Sequence, residues 1–390
     1  MTKPMILCFS SSDWEGKWGS RQQVMQRLAQ RGYPVLFIER QIGLEHLWRY
    51  PEMRRHKWRR WREGRQTIAP NLTIVSPPLL LPGRYHFRTV ARINQWIVIQ
   101  WTQAYLRRNG LQPQVVWVYR PEDGGLFGHF GETLRVYHCI DEFRAGTVGR
   151  KRAVIDALER ETLTGADIVF TNSLLTHREK LPFNVQTHRI PSGADVAHFA
   201  RALDKETVVP EAIAQIPPPV AGYVGNINDK LDIALLTAVA QRLPNWSFVF
   251  VGQAYPQAVD LHPLQALPNV YFLGRQPFAA VPGFVKSMQI CLLPYTDSEY
   301  TRYRSPLKLY EYLAAGKPVV STSHPEVAEF AEWVTIADDA TTFAAAIVTA
   351  AAADSPAQQQ QRAAIGRCHA WDARVDIIER VLQEHWGELP

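Results

Sequence analysis

The chain has 390 residues, 46% of them hydrophobic and 21% charged, with a formal net charge of +6. At ~100–200 residues per domain this length predicts two domains, and the composition excludes a disordered, collagen-like or disulfide-stapled chain. No run of ~18 apolar residues is present, so no transmembrane helix is expected; the positive charge predicts an anionic partner, whether nucleic acid, an acidic membrane surface or a phosphate-bearing ligand.

Residues 5–10 read as a strand with no basic leader before it, so no signal peptide is expected. Residues 20–31 read as a helix with Val24 and Leu28 on one face and Gly32 as its stop. The loop between them, Asp13-Trp-Glu-Gly16-Lys-Trp-Gly19, is glycine-bearing but is not the GxGxxG dinucleotide fingerprint. A strand at 34–39 leads into a basic, tryptophan-bearing stretch in which Trp58 and Trp61 share a helix face. Trp48, Arg54, Arg55, Lys57, Arg59, Arg60 and Arg62 surround them. Indoles at headgroup level with cations on the phosphates suit an anionic bilayer surface; the alternative is a solvated charged loop, which leaves costly exposed tryptophans. A second such region spans 84–108, with Trp96 and Trp101 among Arg88, Arg92, Arg107 and Arg108, its apolar face on either the bilayer or the sheet. Basic residues interleaved with aromatics also suit nucleic acid, but no nucleic-acid motif accompanies them, so no such partner is expected.

Further strands are predicted at 72–76, 115–119, 134–140, 167–172 and 187–190, with a helix at 151–164 and a turn in the glycine-rich 124–131. Strands bounded by helices imply a parallel sheet covered on both faces. The pattern breaks at Pro210, Pro217, Pro218 and Pro219, which read as a linker. It resumes with strands at 220–224, 247–252, 269–273, 290–294, 318–321 and 334–336, and helices at 232–242, near 284, 306–315 and 326–332. An alanine-rich helix follows at 344–353, then one or two helices over 358–386. Two Rossmann-like α/β domains result, 1–203 and 204–370, with a closing helix at 371–390. Open sheets bind ligands outside the carboxyl ends of their strands, so a cleft between the two sheets is expected. Pattern alone fits glycosyltransferases, nucleotide-sugar epimerases and periplasmic-type binding proteins. Four scattered cysteines, Cys8, Cys139, Cys291 and Cys368, form no CxxC pair and read as buried reduced thiols of a cytosolic protein.

The segment Ser305-Pro-Leu-Lys-Leu-Tyr-Glu-Tyr-Leu-Ala-Ala-Gly-Lys-Pro-Val-Val-Ser-Thr322 reads as a capped helix start, a short helix, a glycine stop and a strand. Ser305 can cap, and the helix N–H groups can face an anion. Lys308 and Glu311 lie one turn apart. A lysine there could neutralise a diphosphate and a carboxylate could accept from two ribose hydroxyls; the plain alternative is an exposed salt bridge. The segment resembles the donor-binding signature of the large retaining family of GT-B glycosyltransferases, in which Glu311 matches the ribose-binding glutamate and Tyr303 stands where the sugar-binding glutamate falls. It is closer to the capsule, teichuronic-acid and exopolysaccharide transferases, whose Ser-x-x-Lys-x-x-(Glu/Gln) form is matched by Ser305, Lys308 and Glu311, and in which Leu307 corresponds to a residue near the uracil. Gly222-Tyr-Val-Gly225-Asn226 is similar to the first strand and glycine loop of their C-domain, with Asn226 and Lys230 implied near the diphosphate. Ile190-Pro-Ser-Gly-Ala-Asp195 is similar to the element closing the N-domain, and His369-Ala-Trp371-Asp372 to the start of a final helix that returns to it.

Tyr137-His-Cys-Ile-Asp141-Glu142 ends a strand at its carboxyl end. Asp141 matches an aspartate of related exopolysaccharide glucuronosyltransferases and is the candidate base for an acceptor hydroxyl; the alternative is a capping or loop acid. Glu142, Gly16 and Gly19 are assigned beside it, on the acceptor side. A base there implies inversion, with retention open. His138 is expected to point into packing. No metal is expected, since no DxD motif is found and Asp338-Asp339 reads as helix capping; no cofactor beyond the nucleotide-sugar substrate is implied. The resemblance implies a hexosyl- or glucuronosyltransferase. Its donor would be a nucleotide-diphosphate sugar, UDP-linked, and its acceptor lipid-linked or saccharide. It would sit peripherally on the inner face of the plasma membrane and act in cell-surface polysaccharide synthesis. An epimerase or hydrolase on the same fold and a non-catalytic membrane-bound scaffold are the alternatives; donor sugar, linkage and oligomeric state are not legible.

Overall fold

The computed structural model describes residues 3–16, 18–44, 51–84 and 86–387. It divides the chain into two compact units, Met1–Pro191 with Val375–Pro390, and Ser192–Arg374.

The first unit contains β1 (Ile6–Phe9), α1 (Ser20–Gln30), β2 (Val35–Ile38), α2 (Pro51–Glu63), β3 (Gln66–Ala69), β4 (Leu72–Val75), α3 (Arg88–Asn109), β5 (Val115–Val118), β6 (Leu134–Cys139), α4 (Gly149–Gly165), β7 (Ile168–Thr171), α5 (Leu174–Lys180) and β8 (Thr187–Arg189). The strands form one sheet in the order β3-β4-β2-β1-β5-β6-β7-β8. The expected parallel sheet has one antiparallel edge, β3 on β4. A turn at Pro70 and Asn71 joins them, too short for the crossover that a parallel pair requires. β1 is central, Cys8 lying opposite Phe37 on one side and Trp117 on the other. Every residue of β1 and β2 is buried, as expected where helices cover both faces. Leu7, Phe9, Leu36, Ile38, Val116 and Val118 share one core cluster with Val98, Ile99 and Leu106 of α3. A ring row crosses β5, β6 and β7: Tyr119 stacks on His138 at 5.1 Å and Trp117 on Phe170 at 5.5 Å. Burial, aided by the Arg21 charge, lowers the His138 imidazole to about 3, so this histidine is a neutral core residue, as its strand position implied.

Beyond β6 the chain is held by a buried ion network. Lys180 donates to Glu159 at 2.6 Å and to Glu142 at 3.3 Å, and Arg144 donates to Glu142 at 2.7 Å. Glu159 also accepts from the Tyr137 hydroxyl at 3.1 Å. The network ties the loop after β6 to α4 and α5. Burial alone would raise the Glu142 carboxyl, but the Arg144 hydrogen bond and the Lys180 charge hold it at about 2.

The second unit contains α6 (Val196–Ala200), β9 (Val220–Val224), α7 (Ile233–Arg242), β10 (Ser247–Val251), β11 (Val270–Phe272), α8 (Val281–Lys286), β12 (Ile290–Leu293), α9 (Leu307–Ala314), β13 (Val319–Ser321), β14 (Val334–Ile336), α10 (Ala340–Ala353) and α11 (Pro356–Arg367); α12 (Trp371–Gly387) begins in this unit and ends in the first. Its sheet is parallel throughout, in the order β11-β10-β9-β12-β13-β14. Leu236 and Val239 of α7 join Phe343 and Ile347 of α10 in one cluster. Phe284 of α8 joins Leu309 and Leu313 of α9 in another.

The first boundary falls at 191/192 and not at 203/204, because Phe199 and Ala202 belong to the core of the second unit. The proline-rich stretch is not a linker either: Ile213 and Ile216 sit in that same core, and the Val208 carbonyl lies so close that a Cβ on Gly283 would stand 2.2 Å from it. Cys8, Cys139 and Cys291 are buried free thiols, whereas Cys368 is exposed where α11 ends.

The His138 imidazole has a folded pKa of about 3 against ~6.5 unfolded. It therefore contributes stability that is complete above ~6.5 and is lost as pH falls toward the folded value. Asp123 acts with the opposite sign, since burial and the neighbouring Glu122 raise its carboxyl to about 7. A comparison with His138→Phe isolates the histidine: the Tm difference between wild type and variant is expected to shift steadily in favour of the variant as pH is lowered from 7 to 4. A pH-independent difference in calorimetry would show that His138 is not a neutral buried group.

Candidate functional site

In the second unit the residues of interest gather at the carboxyl end of β9. Gly225 follows that strand with φ +150°, and a Cβ there would stand 2.1 Å from Lys308 Cε and 2.5 Å from Nζ. Gly252, at the end of β10, has the same φ, and its Cβ would lie 1.9 Å from the Gly225 carbonyl oxygen. Backbone is thus packed on backbone, with the Lys308 side chain laid across it and its ammonium 5.7 Å from the centre of the Tyr223 ring. The loop is pinned by hydrogen bonds: Val224 N–H to the Tyr312 hydroxyl at 2.8 Å, Gly225 N–H to the Val251 carbonyl at 2.8 Å, and the Tyr223 hydroxyl to the Asn226 carbonyl at 3.3 Å. Asn226 itself is exposed. Lys230 lies 4.6 Å from the Tyr300 ring and donates to its hydroxyl at 3.4 Å. The Arg304 guanidinium stands 4.8 Å from the same ring.

Burial raises the Tyr223 and Tyr295 phenols, and the Glu311 charge raises both further. Leu307 is exposed at the start of α9. α7 and α9 belong to different core clusters, so the helices following the adjacent strands β9 and β12 leave on opposite faces. That is the switch point where open sheets take their ligands. The structure brings together Gly225, Asn226, Lys230, Leu307, Lys308 and Glu311. Ser305 departs from expectation. Pro306 is the N-cap of α9 and no side chain caps the helix. The Ser305 hydroxyl instead accepts from Ser192 N–H at 3.1 Å and lies 3.5 Å from the Tyr310 hydroxyl. Tyr223, Tyr300, Arg304 and Tyr312 were not singled out from sequence, since an isolated aromatic between motif residues is indistinguishable from a core residue.

In the first unit Asp141 follows β6, one-third exposed, and accepts from Arg21 Nη2 at 3.2 Å. Gly19 is the N-cap of α1 and donates to Gln22 Oε1 at 3.1 Å; Gln22 in turn donates to the Asp13 carbonyl at 2.8 Å. Gly16 has φ +100° and open space where a side chain would be. Both glycines follow β1, also at its carboxyl end. Glu142 is not an acceptor-side group: its carboxylate is turned inward and occupied by Arg144 and Lys180. Arg21 was missed because its place on the polar side of α1 gives no signal. Among the described residues no group of three or more His, Cys, Asp or Glu is arranged to hold a metal ion. Asp339 caps α10, and Asp338 accepts from Ser323.

The basic helix α2 is two-sided in a way that corrects the expectation. Lys57 and Arg60 are buried cations rather than surface ones. Lys57 donates to Asp13 at 3.0 Å and Arg60 to Glu39 at 3.3 Å. The wholly buried Glu39 carboxylate and the partly buried Asp13 draw them in, since a charge taken out of water needs a partner. Arg54, Arg55, Trp58, Arg59 and Arg62 remain exposed, Trp58 at 60%. Trp61 is half-buried, donating to the Pro77 carbonyl at 3.1 Å, with its ring 6.5 Å from that of Trp58. Trp48 lies outside the described residues. On α3 the sheet takes Val98, Ile99 and Leu106 while Ile93 and Trp96 stay exposed, next to Arg88 and Arg92. No helix of the described residues is long and apolar enough to cross a membrane.

Residues 218–353 match the family described as Glycosyl transferases group 1. A Bacillus subtilis (strain 168) relative named as a teichuronic acid biosynthesis glycosyltransferase, TuaH, is 31% identical over 206 residues, covering 50% of this chain and 51% of the relative. The chain thus spans about half the length of the curated relative it matches. Among solved structures, sucrose-phosphate synthase from Thermosynechococcus elongatus aligns over 99% of this chain and 100% of its own, with a TM-score of 0.70 at 17% identity. A trehalose-6-phosphate structure from E. coli bound with UDP-2-fluoro glucose aligns over 97% and 98%, with a TM-score of 0.67 at 12% identity. The chain is therefore similar to the Glycosyl transferases group 1 family over residues 218–353, and its fold is the GT-B fold of these solved structures.

Proposed function

We propose that this chain moves a sugar from a nucleotide-diphosphate donor, UDP-linked, to a lipid-linked or saccharide acceptor in cell-surface polysaccharide synthesis. The observation that carries this reading is the Lys308 side chain laid across Gly225 at the carboxyl end of β9. A strand end stripped of side chains lets a diphosphate approach the backbone, and a lysine already in place can neutralise it. Lys230 and Asn226 flank the same loop; in this reading Glu311 accepts from the ribose hydroxyls and Leu307 meets the base. The name of the Bacillus subtilis relative supports an envelope polysaccharide as the product. The fold neighbour bound with UDP-2-fluoro glucose makes UDP the first nucleotide to test. In the transfer the acceptor oxygen bonds to the anomeric carbon, the bond from that carbon to the diphosphate breaks, and the nucleoside diphosphate leaves with its charge met by the lysines. The acceptor proton passes to Asp141, which gives inversion. Metal is not required where fixed cations meet the leaving group.

The exposed face of α2, with Arg54, Arg55, Trp58, Arg59 and Arg62, supports peripheral attachment to an anionic membrane, where a lipid-linked acceptor would be found. Phe87, Ile93 and Trp96, exposed on and before α3 among Arg88 and Arg92, extend the same chemistry.

A thermal-shift series with UDP, GDP, ADP and dTDP tests the donor site. A ligand held only by the folded state adds about 2.7 kcal/mol at a hundredfold excess over Kd. UDP is expected to stabilise the wild type selectively and Lys308→Ala not at all; no shift with any nucleotide would favour a scaffold. In a transfer assay Asp141→Asn is expected to lower kcat by about 100-fold or more with its UDP-induced shift intact, and full activity would remove the base assignment. Sedimentation with phosphatidylglycerol vesicles, but not phosphatidylcholine ones, is expected for the wild type. It should be reduced when Arg54, Arg55, Trp58 and Arg62 are replaced by alanine together, and equal sedimentation of the two proteins would place the contact elsewhere.

A further inference from the structure

A second crevice lies in the same unit as the Gly225 loop, at the carboxyl ends of β12, β13 and β14. Its volume is about 530 Å³, within the ~300–1,000 Å³ of small-molecule sites. None of Gly225, Asn226, Lys230, Leu307, Lys308 and Glu311 lines it. The segment 230–232 borders both places: Lys230 donates to the Tyr300 hydroxyl, while Asp232 lines the crevice. Pro325, Ala328, Ile336 and the Tyr295 ring supply apolar lining, and Asp232, Asp297 and Asp338 supply the charge. Each aspartate is held by a hydrogen bond of its own. Asp232 accepts from Leu235 N–H at 2.8 Å, Asp338 from Ser323 N–H at 2.7 Å and Asp297 from Arg302 Nη2 at 2.5 Å. A carboxylate accepts about four hydrogen bonds, so acceptor capacity is left over at fixed positions. His324, also in the lining, is fixed too. It accepts from Glu326 N–H at 3.1 Å, its Nε2 meets the Thr301 carbonyl at 2.8 Å, and burial lowers its imidazole.

Three carboxylates against one guanidinium, Arg302, itself tied to Asp297, repel a phosphate or a nucleotide. Among the described residues no group of three or more His, Cys, Asp or Glu is arranged for a metal ion. The ligand that fits donates several hydrogen bonds, carries no negative charge and has an apolar face. A sugar ring meets all three conditions, with its hydroxyls donating to the aspartates and its C–H face on Ile336, Ala328 and Tyr295. We propose that this crevice binds a neutral saccharide unit and serves as a holding site for the glycan, apart from the glycine loop. The inference rests on the transferase reading above for the source of that saccharide.

Saturation-transfer NMR titrations on the full chain test it, with glucose, galactose, N-acetylglucosamine and cellobiose as probes in the presence of UDP. The wild type is compared with Asp297→Ala/Asp338→Ala and with Ala328→Leu, each checked for a native melting transition. Transfer to at least one sugar is expected in the wild type. Removing two acceptors in the aspartate variant is expected to weaken that sugar by about tenfold or more. Ala328→Leu keeps every polar group and crowds the crevice, so a comparable loss is expected there even if the aspartate variant does not fold. The UDP-induced thermal shift is expected to be the same in all of them. Equal sugar affinity in wild type and folded variants, or no transfer to any sugar in the wild type, would overturn the holding site; a UDP shift beside either result leaves the donor reading standing. Sugar binding lost in the variants of a protein that no nucleotide stabilises would keep the crevice and overturn the transferase reading.

Discussion

Lys308 reaches the end of β9 because Gly225 has no side chain, and the rest of the candidate site depends on that contact. Any Cβ at Gly225 would occupy the space of the lysine stem, and any Cβ at Gly252 would occupy the space of the Gly225 carbonyl. The two strand ends are therefore packed at backbone distance, with the end of the Lys308 side chain over them. Tyr312, from the same helix as Lys308, accepts from Val224 N–H and holds the strand end where the lysine needs it. Residues almost ninety positions apart in the chain, Tyr223 to Tyr312, act as one surface because parallel strands deliver their carboxyl ends to one edge.

The first unit solves a related problem with charge. Asp141 and Glu142 are adjacent, yet past the end of β6 their side chains go different ways. Glu142 is committed to Arg144 and Lys180 inside the ion network, while Asp141 meets Arg21 at a partly open edge. A buried network of this kind adds little net stability over an apolar core but is costly to leave half-made. Its effect here is to hold the loop on α4 and α5, so that the neighbouring aspartate has a defined position.

Helix α2 shows why counting charges misjudges a surface. Its sequence reads as one basic amphipathic element, but two of its cations, Lys57 and Arg60, neutralise Asp13 and Glu39 beneath it. What is left outward is a smaller set of arginines around one exposed tryptophan. The same helix therefore secures the loop after β1 and keeps an exposed basic face.

Alternation of apolar strands with amphipathic helices was enough to determine two Rossmann-like units, because a strand buried on both faces has few other solutions. The spacing of Lys308 and Glu311, with the glycine loop at Gly225, was enough to group these residues at one candidate site, because helix periodicity sets which of them share a face. The antiparallel β3 edge, the unit boundary at 191/192, the inward turn of Glu142, Lys57 and Arg60, and the use of Ser305 to hold Ser192 were decided by tertiary structure. Each depends on which distant group lies opposite, and a linear sequence records the charge or the hydroxyl but not the partner that consumes it. Arg21 is the clearest case: on α1 it is one polar residue among several, and only the fold places it against Asp141.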